Sequence, residues 1–132
     1  MSKALIFASL GVYLLASGAD AEARGAKPGH SQQGIASYYH DSLHGRKTAS
    51  GQIYNKNIPS AAHKTLPLGS KVRVTDTKTG RSIVVKVNDR GPFVKGRIID
   101  LSRSAARELG MINKGLAKVE VEVLSVPASR GS

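Results

Sequence analysis

The chain has 132 residues, no cysteine, and 20 Lys plus Arg against nine Asp plus Glu, which gives a net charge of +11. This length allows one domain with a modest core, and the lack of cysteine excludes disulfides, thiol nucleophiles, zinc–cysteine sites and a lipid-acylated cysteine. The charge favours a polyanionic partner, with nucleic acid, anionic lipid head groups and acidic wall polymers all open.

Residues 1–21 have the pattern of a secretory signal peptide. Lys3 supplies the positive start, residues 4–17 are nearly all apolar, and Ala19-Asp20-Ala21 fits a cleavage site, with a second candidate after residue 23. The apolar run is shorter than the roughly 20 residues that cross a bilayer. We therefore expect an exported protein, soluble in the periplasm or cell envelope without a membrane anchor, which argues against nucleic acid as a partner. Residues 22–33 lack periodicity and predict a flexible linker.

The first half of the domain is predicted to contain short strands around a polar loop. Residues 34–39 are typical of a strand that is buried on both faces. Residues 40–51 are too polar for a core and are expected to form a rim or cleft wall. Residues 53–54 and 60–62 predict two further short strands separated by a turn.

The second half contains the clearest hairpin. Residues 71–76 alternate, with Val72 and Val74 on one face, residues 77–80 form the turn, and residues 82–88 return directly to Asp89. A strand is predicted at 98–101, a helix at 102–109 with Ser102 as its cap and Gly110 at its end, and a last strand at 116–124. Residues 126–132 predict a disordered tail.

These elements predict a mainly β fold for one domain at residues 34–125. Many short strands with one helix favour a small closed barrel over an open sandwich, because closure removes edges that a small core could not protect.

The segment Asn88 to Phe93 holds an acid beside a cation at the end of a strand. Asp89 is either a glycan-cleaving acid or a turn residue that accepts backbone hydrogen bonds, and His63 is either a site residue or a packing histidine. Asp100 and Arg97 are expected to form an ion pair. Tyr38, Tyr39 and Phe93 fit either sugar stacking or the core. The glycines around His40 and His44 argue against a helix that could bind a metal there, so no metal or cofactor is predicted.

Five sequence blocks together are similar to the rare lipoprotein A family, and the match covers residues 34 to 124. The blocks are GIASYY at 34–39, HGRKTASG at 44–51, AAHKTLPLG at 61–69, VNDRGPF at 87–93 and GRIIDLS at 96–102.

The resemblance implies a six-stranded double-psi β-barrel with one or two short helices. It also implies an endolytic lytic transglycosylase that cleaves the bond between N-acetylmuramic acid and N-acetylglucosamine in peptidoglycan. Such an enzyme prefers naked glycan strands without stem peptides and leaves a 1,6-anhydro product. The implied partners are glycan strands and division-septum proteins, and the implied assembly is a monomer. Expansins share this barrel type, so binding without cleavage also belongs to the fold.

The resemblance assigns catalytic positions to Asp89, His63 and Gln52. Gln52 stands where active relatives carry glutamate, which raises the alternative of a non-catalytic peptidoglycan-binding or septal-targeting module. Since the sugar's own C6 hydroxyl closes the anhydro ring, one acid that returns as base suffices, and Asp89 is assigned that role. His63 would orient Asp89 or the substrate. The expected substrate-binding residues are Tyr39, His44, Arg46, Thr48, Asn88 and Arg90.

Overall fold

The computed structural model describes residues 27–128, so the predicted signal peptide and residues 129–132 of the predicted tail lie outside the described residues. Six strands and one α-helix follow one another, with a short 3₁₀ helix at Asp41–Leu43. The elements are β1 Ser31–Tyr38, β2 Ala61–His63, β3 Lys71–Asp76, β4 Ser82–Asp89, β5 Arg97–Leu101, α1 Arg103–Leu109 and β6 Ala117–Ser125.

The strands close into a barrel in the order β1–β5–β2–β4–β3–β6. The β1/β5 and β2/β4 pairs are parallel, and the four other neighbouring pairs are antiparallel. Every strand therefore has a partner on both sides, and no edge stays open among these six. The predicted mainly β fold with a six-stranded closed barrel is confirmed.

The barrel interior is built from alternating valines. Val119, Val121 and Val123 of β6 are buried, as are Val72 and Val74 of β3. Each buried valine contributes about 1.5–3 kcal/mol relative to an exposed one. The period-two pattern in the sequence thus identified the inward face of both strands.

Helix α1 packs against β1, β4 and β5. The Ser102 hydroxyl accepts a hydrogen bond from the Ala105 amide at 3.3 Å, and Gly110 has a φ of +83°, which a side chain would strain. The predicted cap and end of this helix are confirmed.

The hairpin of β3 and β4 is also confirmed, and its turn is held by a buried carboxylate. Asp76 accepts hydrogen bonds from the Lys78 amide at 2.8 Å and the Thr79 amide at 3.2 Å, and its second oxygen pairs with Lys114 Nζ at 3.3 Å. Burial disfavours its charge, but these three donors outweigh burial and lower the pKa of Asp76. The turn therefore fixes the strand that ends at Asp89.

Two predicted boundaries and one predicted strand need correction. The linker predicted at 22–33 is wrong at its end, because Ser31–Gln33 belong to β1 and pair with residues 120–122 of β6. Their exposed polar side chains carry no periodic signal, since backbone pairing alone holds them. Val126, assigned to the disordered tail, packs partly buried against the core. Ile53 forms only an isolated bridge with Lys47 rather than a strand.

No helix within residues 27–128 has the length and apolarity to span a bilayer.

Candidate active site

Asp89 lies at the end of β4 and accepts three hydrogen bonds, two of them from distant segments of the chain. One carboxylate oxygen accepts from the Ala49 amide at 2.8 Å and from its neighbour's amide, Arg90 N, at 2.9 Å. The other accepts from the Tyr39 hydroxyl. Both oxygens are therefore held in place by donors, and the carboxylate is partly exposed at the barrel rim.

Tyr39 follows β1 and belongs to both the core and the site. Its ring is buried, stacks on Tyr54 with centroids 4.4 Å apart, and packs with Ala62. Burial, the hydrogen bond to Asp89 and the charges of Asp89 and Asp100 raise the pKa of Tyr39 well above its ordinary value. Tyr39 thus stays a neutral phenol that donates to Asp89.

Gln52 and Asn88 form a second polar cluster beside Asp89. The Gln52 side-chain oxygen accepts from Asn88 Nδ2 at 3.2 Å and from the Ser50 hydroxyl at 3.3 Å. Thr48 is buried and its hydroxyl donates to the Gln52 carbonyl at 2.8 Å. The loop that carries Thr48, Ser50 and Gln52 is also bonded to the end of β4, because the Ser50 amide donates to the Asn88 carbonyl at 3.1 Å.

Two shallow cavities of about 290 and 300 Å³ flank this cluster. Gln52, Lys86 and Asn88 line both of them. The side chains of Ile53 and Ile58, exposed by 58% and 56%, line the first of these cavities. Because the two cavities share three lining residues, we refer to them together as the groove beside β4. The groove beside β4 therefore offers amide groups, one cation and apolar side chains to a ligand.

His63 is 5% exposed and has its hydrogen bonds within the protein. Its Nδ1 accepts from the amides of Thr65 and Leu66, both at 3.2 Å. An accepting Nδ1 leaves the proton on Nε2, which donates to Gln32 Oε1 at 3.1 Å. Burial and then the charges of Arg90 and Lys64 lower its pKa to about 4. His63 is therefore neutral near pH 7 and ties its turn to β1 rather than to Asp89.

Arg90 braces the same turn. Its Nη1 donates to the carbonyls of His63 at 3.1 Å and Leu66 at 2.6 Å. Because its amide also donates to Asp89, Arg90 links the carboxylate to the His63 turn. The guanidinium that the resemblance assigned to substrate is thus engaged by the protein's own backbone.

The remaining predicted residues spread around the rim. His44 is exposed, accepts from the Lys56 amide at 3.1 Å and meets Tyr54 edge-on, and Arg46 is exposed nearby. Tyr38 donates through its hydroxyl to the Ile112 carbonyl at 2.9 Å and packs against the core. Phe93 is 79% exposed.

Asp100 has a different partner from the one predicted. The expected ion pair with Arg97 does not form, because residues three apart on a strand face opposite sides. Instead the Ser37 hydroxyl donates to Asp100 Oδ1 at 3.0 Å. Burial raises the pKa of Asp100 and the charge of Asp89 adds to this, against the opposing effects of Ser37 and Arg97. Ser37 and Asp100 lie opposite each other in the β1/β5 register. The sequence could not identify them as partners without that register.

Within residues 27–128, no three His, Asp or Glu side chains gather in a way that could hold a metal ion. His40 instead caps the 3₁₀ helix, since its Nδ1 accepts from the Ser42 amide at 3.0 Å.

Comparison with known proteins places the chain in a family. The sequence model of a family described as lytic transglycolase, with a double-psi barrel domain, matches residues 31–121. The endolytic peptidoglycan transglycosylase RlpA of Pasteurella multocida is 60% identical over 98 residues, which is 74% of this chain and 33% of that protein. The Neisseria meningitidis protein of the same name is 55% identical over 92 residues, 70% of this chain and 38% of its own length. The chain thus spans about a third of the curated relatives it matches.

Two solved structures share the fold. The Streptomyces papain inhibitor has a TM-score of 0.61 and 25% identity, over 74% of this chain and 96% of its own. The expansin of Clavibacter michiganensis has a TM-score of 0.58 and 24% identity, over 76% of this chain and 53% of its own.

The closed topology, these neighbours and the family match define a double-psi β-barrel domain of the lytic transglycosylase class. The high sequence identity to the named relatives decides which family of this class the chain belongs to. The chain belongs to the RlpA, or rare lipoprotein A, family.

Proposed function

We propose that this protein is an endolytic peptidoglycan transglycosylase of the cell envelope, which cleaves the bond between N-acetylmuramic acid and N-acetylglucosamine. The observation that carries the proposal is the Asp89 carboxylate, fixed at the barrel rim by Tyr39, Ala49 and Arg90 in a chain of this family. A rigidly held carboxylate at an accessible rim is what a reaction with a positively charged transition state needs.

The proposed reaction leaves a 1,6-anhydro end. Glycoside cleavage needs a proton on the leaving oxygen and a negative group near the developing positive charge of the sugar ring. Attack by the C6 hydroxyl of the same sugar makes an activated water unnecessary. Asp89 is the essential carboxylate in this proposal, and His63 and Arg90 position it by holding the turn behind it.

Substrate contacts are assigned to the groove beside β4. The amides of Gln52 and Asn88 offer a donor and an acceptor for N-acetyl groups, while Lys86 lies between the two cavities. His44, Arg46 and Thr48 belong to the loop that forms the rim. Naked strands, which carry no stem peptides, would fit such a shallow trough with less steric hindrance than peptide-substituted ones.

Digestion of stem-free glycan strands tests this function. The wild-type protein is expected to release 1,6-anhydro fragments, detected by mass spectrometry, and Asp89→Asn to lose them while it still binds insoluble peptidoglycan. Asp41→Asn is the matched control, because it removes a carboxylate from an exposed ion pair with Arg103. If wild type bound strands and produced no fragments, the proposed activity would be wrong.

A glycan-binding module is the second candidate, and Gln52 favours it. Its side-chain oxygen already accepts from Asn88 and Ser50, so a glutamate would keep both bonds and add a charge. The binding-module account predicts no cleavage by wild type and cleavage after Gln52→Glu. The transglycosylase account predicts cleavage by both proteins.

A further inference from the structure

A second carboxyl group lies on the same face of the sheet as Asp89. Ala62 of β2 pairs with Asp100 of β5 on one side and with Asp89 of β4 on the other. A register shift between Ala61 and Ala62 brings Asp89, rather than Asn88, opposite Ala62, so the three residues share a face. Neighbouring strands are about 4.8 Å apart, so the two outer backbones stand roughly 10 Å apart. A backbone spacing of roughly 10 Å is compatible with the roughly 5–9.5 Å separations of paired glycosidase carboxyls.

Tyr39 is close to both acids. Its ring packs on Ala62, its hydroxyl donates to Asp89, and the charges of both Asp89 and Asp100 act on its phenol. Both carboxyl groups are therefore close enough to the Tyr39 phenol for their charges to act on it.

The surroundings of the two acids differ in a way that separates their roles. Asp89 accepts from three donors on both oxygens, an arrangement matched to an anion. Among the described residues, only Ser37 donates to Asp100, and it donates to Oδ1. Oδ2 of Asp100 is thus left to carry a proton.

From this geometry, and resting on the proposed function, we infer that Asp100 delivers the proton in glycan cleavage while Asp89 acts as the fixed anion. Environments that separate two carboxyl groups in this way assign acid and charge-stabilising roles. Burial, with the charge of Asp89, raises the pKa of Asp100, which supports its holding a proton.

The step balances without a further reactant. The Asp100 proton passes to the glycosidic oxygen as the bond between that oxygen and C1 of N-acetylmuramic acid breaks, and the bonding pair leaves on the oxygen. The C6 hydroxyl of N-acetylmuramic acid then bonds to C1, and its proton returns to Asp100. Asp89 stays anionic throughout and stabilises the positive charge on the ring.

Leaving-group dependence tests the assignment. The two substrates are a stem-free glycan strand and a muramyl oligosaccharide whose leaving group is 4-nitrophenol, which departs without protonation. Asp100→Asn is expected to lose about 10²–10⁴-fold in kcat/KM on the strand and a clearly smaller factor on the nitrophenyl substrate, where the leaving group needs no proton and only the acceptor for the C6 hydroxyl proton is lost. Asp89→Asn is expected to lose activity on both, and Asp41→Asn on neither. Strand cleavage by Asp100→Asn within about threefold of wild type, or equal losses on both substrates, would overturn the assignment.

A second measurement leaves Asp100 itself intact. The charged and titratable groups that face it are Tyr39, Tyr54, Asp89 and Arg97. Ser37→Ala removes a bond that favours the ionised form, so the fall of kcat/KM at alkaline pH should move to higher pH. Arg97→Gln should move it the same way. An unmoved alkaline limb in both variants contradicts the inference even if Asp100→Asn does not fold. If wild type cleaves neither substrate, the proposed function falls and this inference falls with it, whereas a wild-type-like Asp100→Asn removes the inference alone.

Discussion

The substitution Tyr39→Phe removes one oxygen atom and tests how much the fixed geometry of Asp89 contributes to catalysis. Phenylalanine keeps the ring that stacks on Tyr54 and packs on Ala62, and loses only the hydroxyl that donates to Asp89. The Ala49 and Arg90 amides still hold the other carboxylate oxygen. The change therefore frees half of the carboxylate without opening a cavity.

The expected loss follows from the strength of the missing bond. A hydrogen bond to a charged group contributes about 1.5–3 kcal/mol. If the bond acts in the transition state, this corresponds to a fall in kcat of about ten- to a hundredfold, since about 1.4 kcal/mol is a factor of ten. KM should change little, because the groove residues remain in place.

Tyr38→Phe is the matched control. Its hydroxyl donates to a neutral carbonyl, that of Ile112, and the side chain packs against the core. Its loss should cost about 1 kcal/mol of stability and leave kcat unchanged. Initial rates of anhydro-fragment release, measured with both variants at equal folded concentration, make the comparison. Equal kcat values for Tyr39→Phe and wild type would refute the role given to this bond.

Three further predictions concern stability and charge. His63 has a folded pKa of about 4 against an ordinary 6.5, so its stabilising effect is present above pH 6.5 and is lost as the pH falls towards 4. Urea unfolding should therefore show about 2–3 kcal/mol less stability at pH 4.5 than at pH 7.5 from this group, and His63→Gln should flatten that slope; an unchanged slope would contradict the buried neutral state. Asp76→Ala strips three bonds from the hairpin turn and should cost about 2 kcal/mol or more, seen as a melting temperature about 10 °C lower; a shift under a few degrees would contradict it. Gln52→Glu should leave the melting temperature within a few degrees, because glutamate can accept from Asn88 and Ser50 as glutamine does; a large loss would show that the amide's own donors are needed.

The local patterns in the sequence were sufficient for much of the barrel. Alternating valines identified the inner face of β6, and the polar turn after Asp76 identified the hairpin. Ser102 and Gly110 marked the two ends of α1. Each of these signals acts over a few residues, where hydrogen-bonding and side-chain periodicity dictate the structure.

The site was less predictable because it depends on contacts between distant segments. Asp89 could be singled out, but its partners Tyr39 and Ala49 lie 50 and 40 residues away. Neither bond has a signature in the local sequence. The same reason explains why Asp100 was assigned to Arg97, its near neighbour, rather than to Ser37 on the adjoining strand.

The strand Ser31–Gln33 was missed for a related reason. Its polar side chains face solvent, and only the pairing of its backbone with β6 defines it as a strand. Gln32 then reaches His63, so a residue from the predicted linker supports the turn behind the site.

The most direct test of the central claim is to digest stem-free glycan strands with the wild-type protein in heavy-oxygen water and to identify the new ends by mass spectrometry. Intramolecular attack by the C6 hydroxyl predicts 1,6-anhydro ends that contain no label. Labelled reducing ends would mean that water is the nucleophile, and strands that bind without any new ends would mean that this barrel recognises the wall without cutting it.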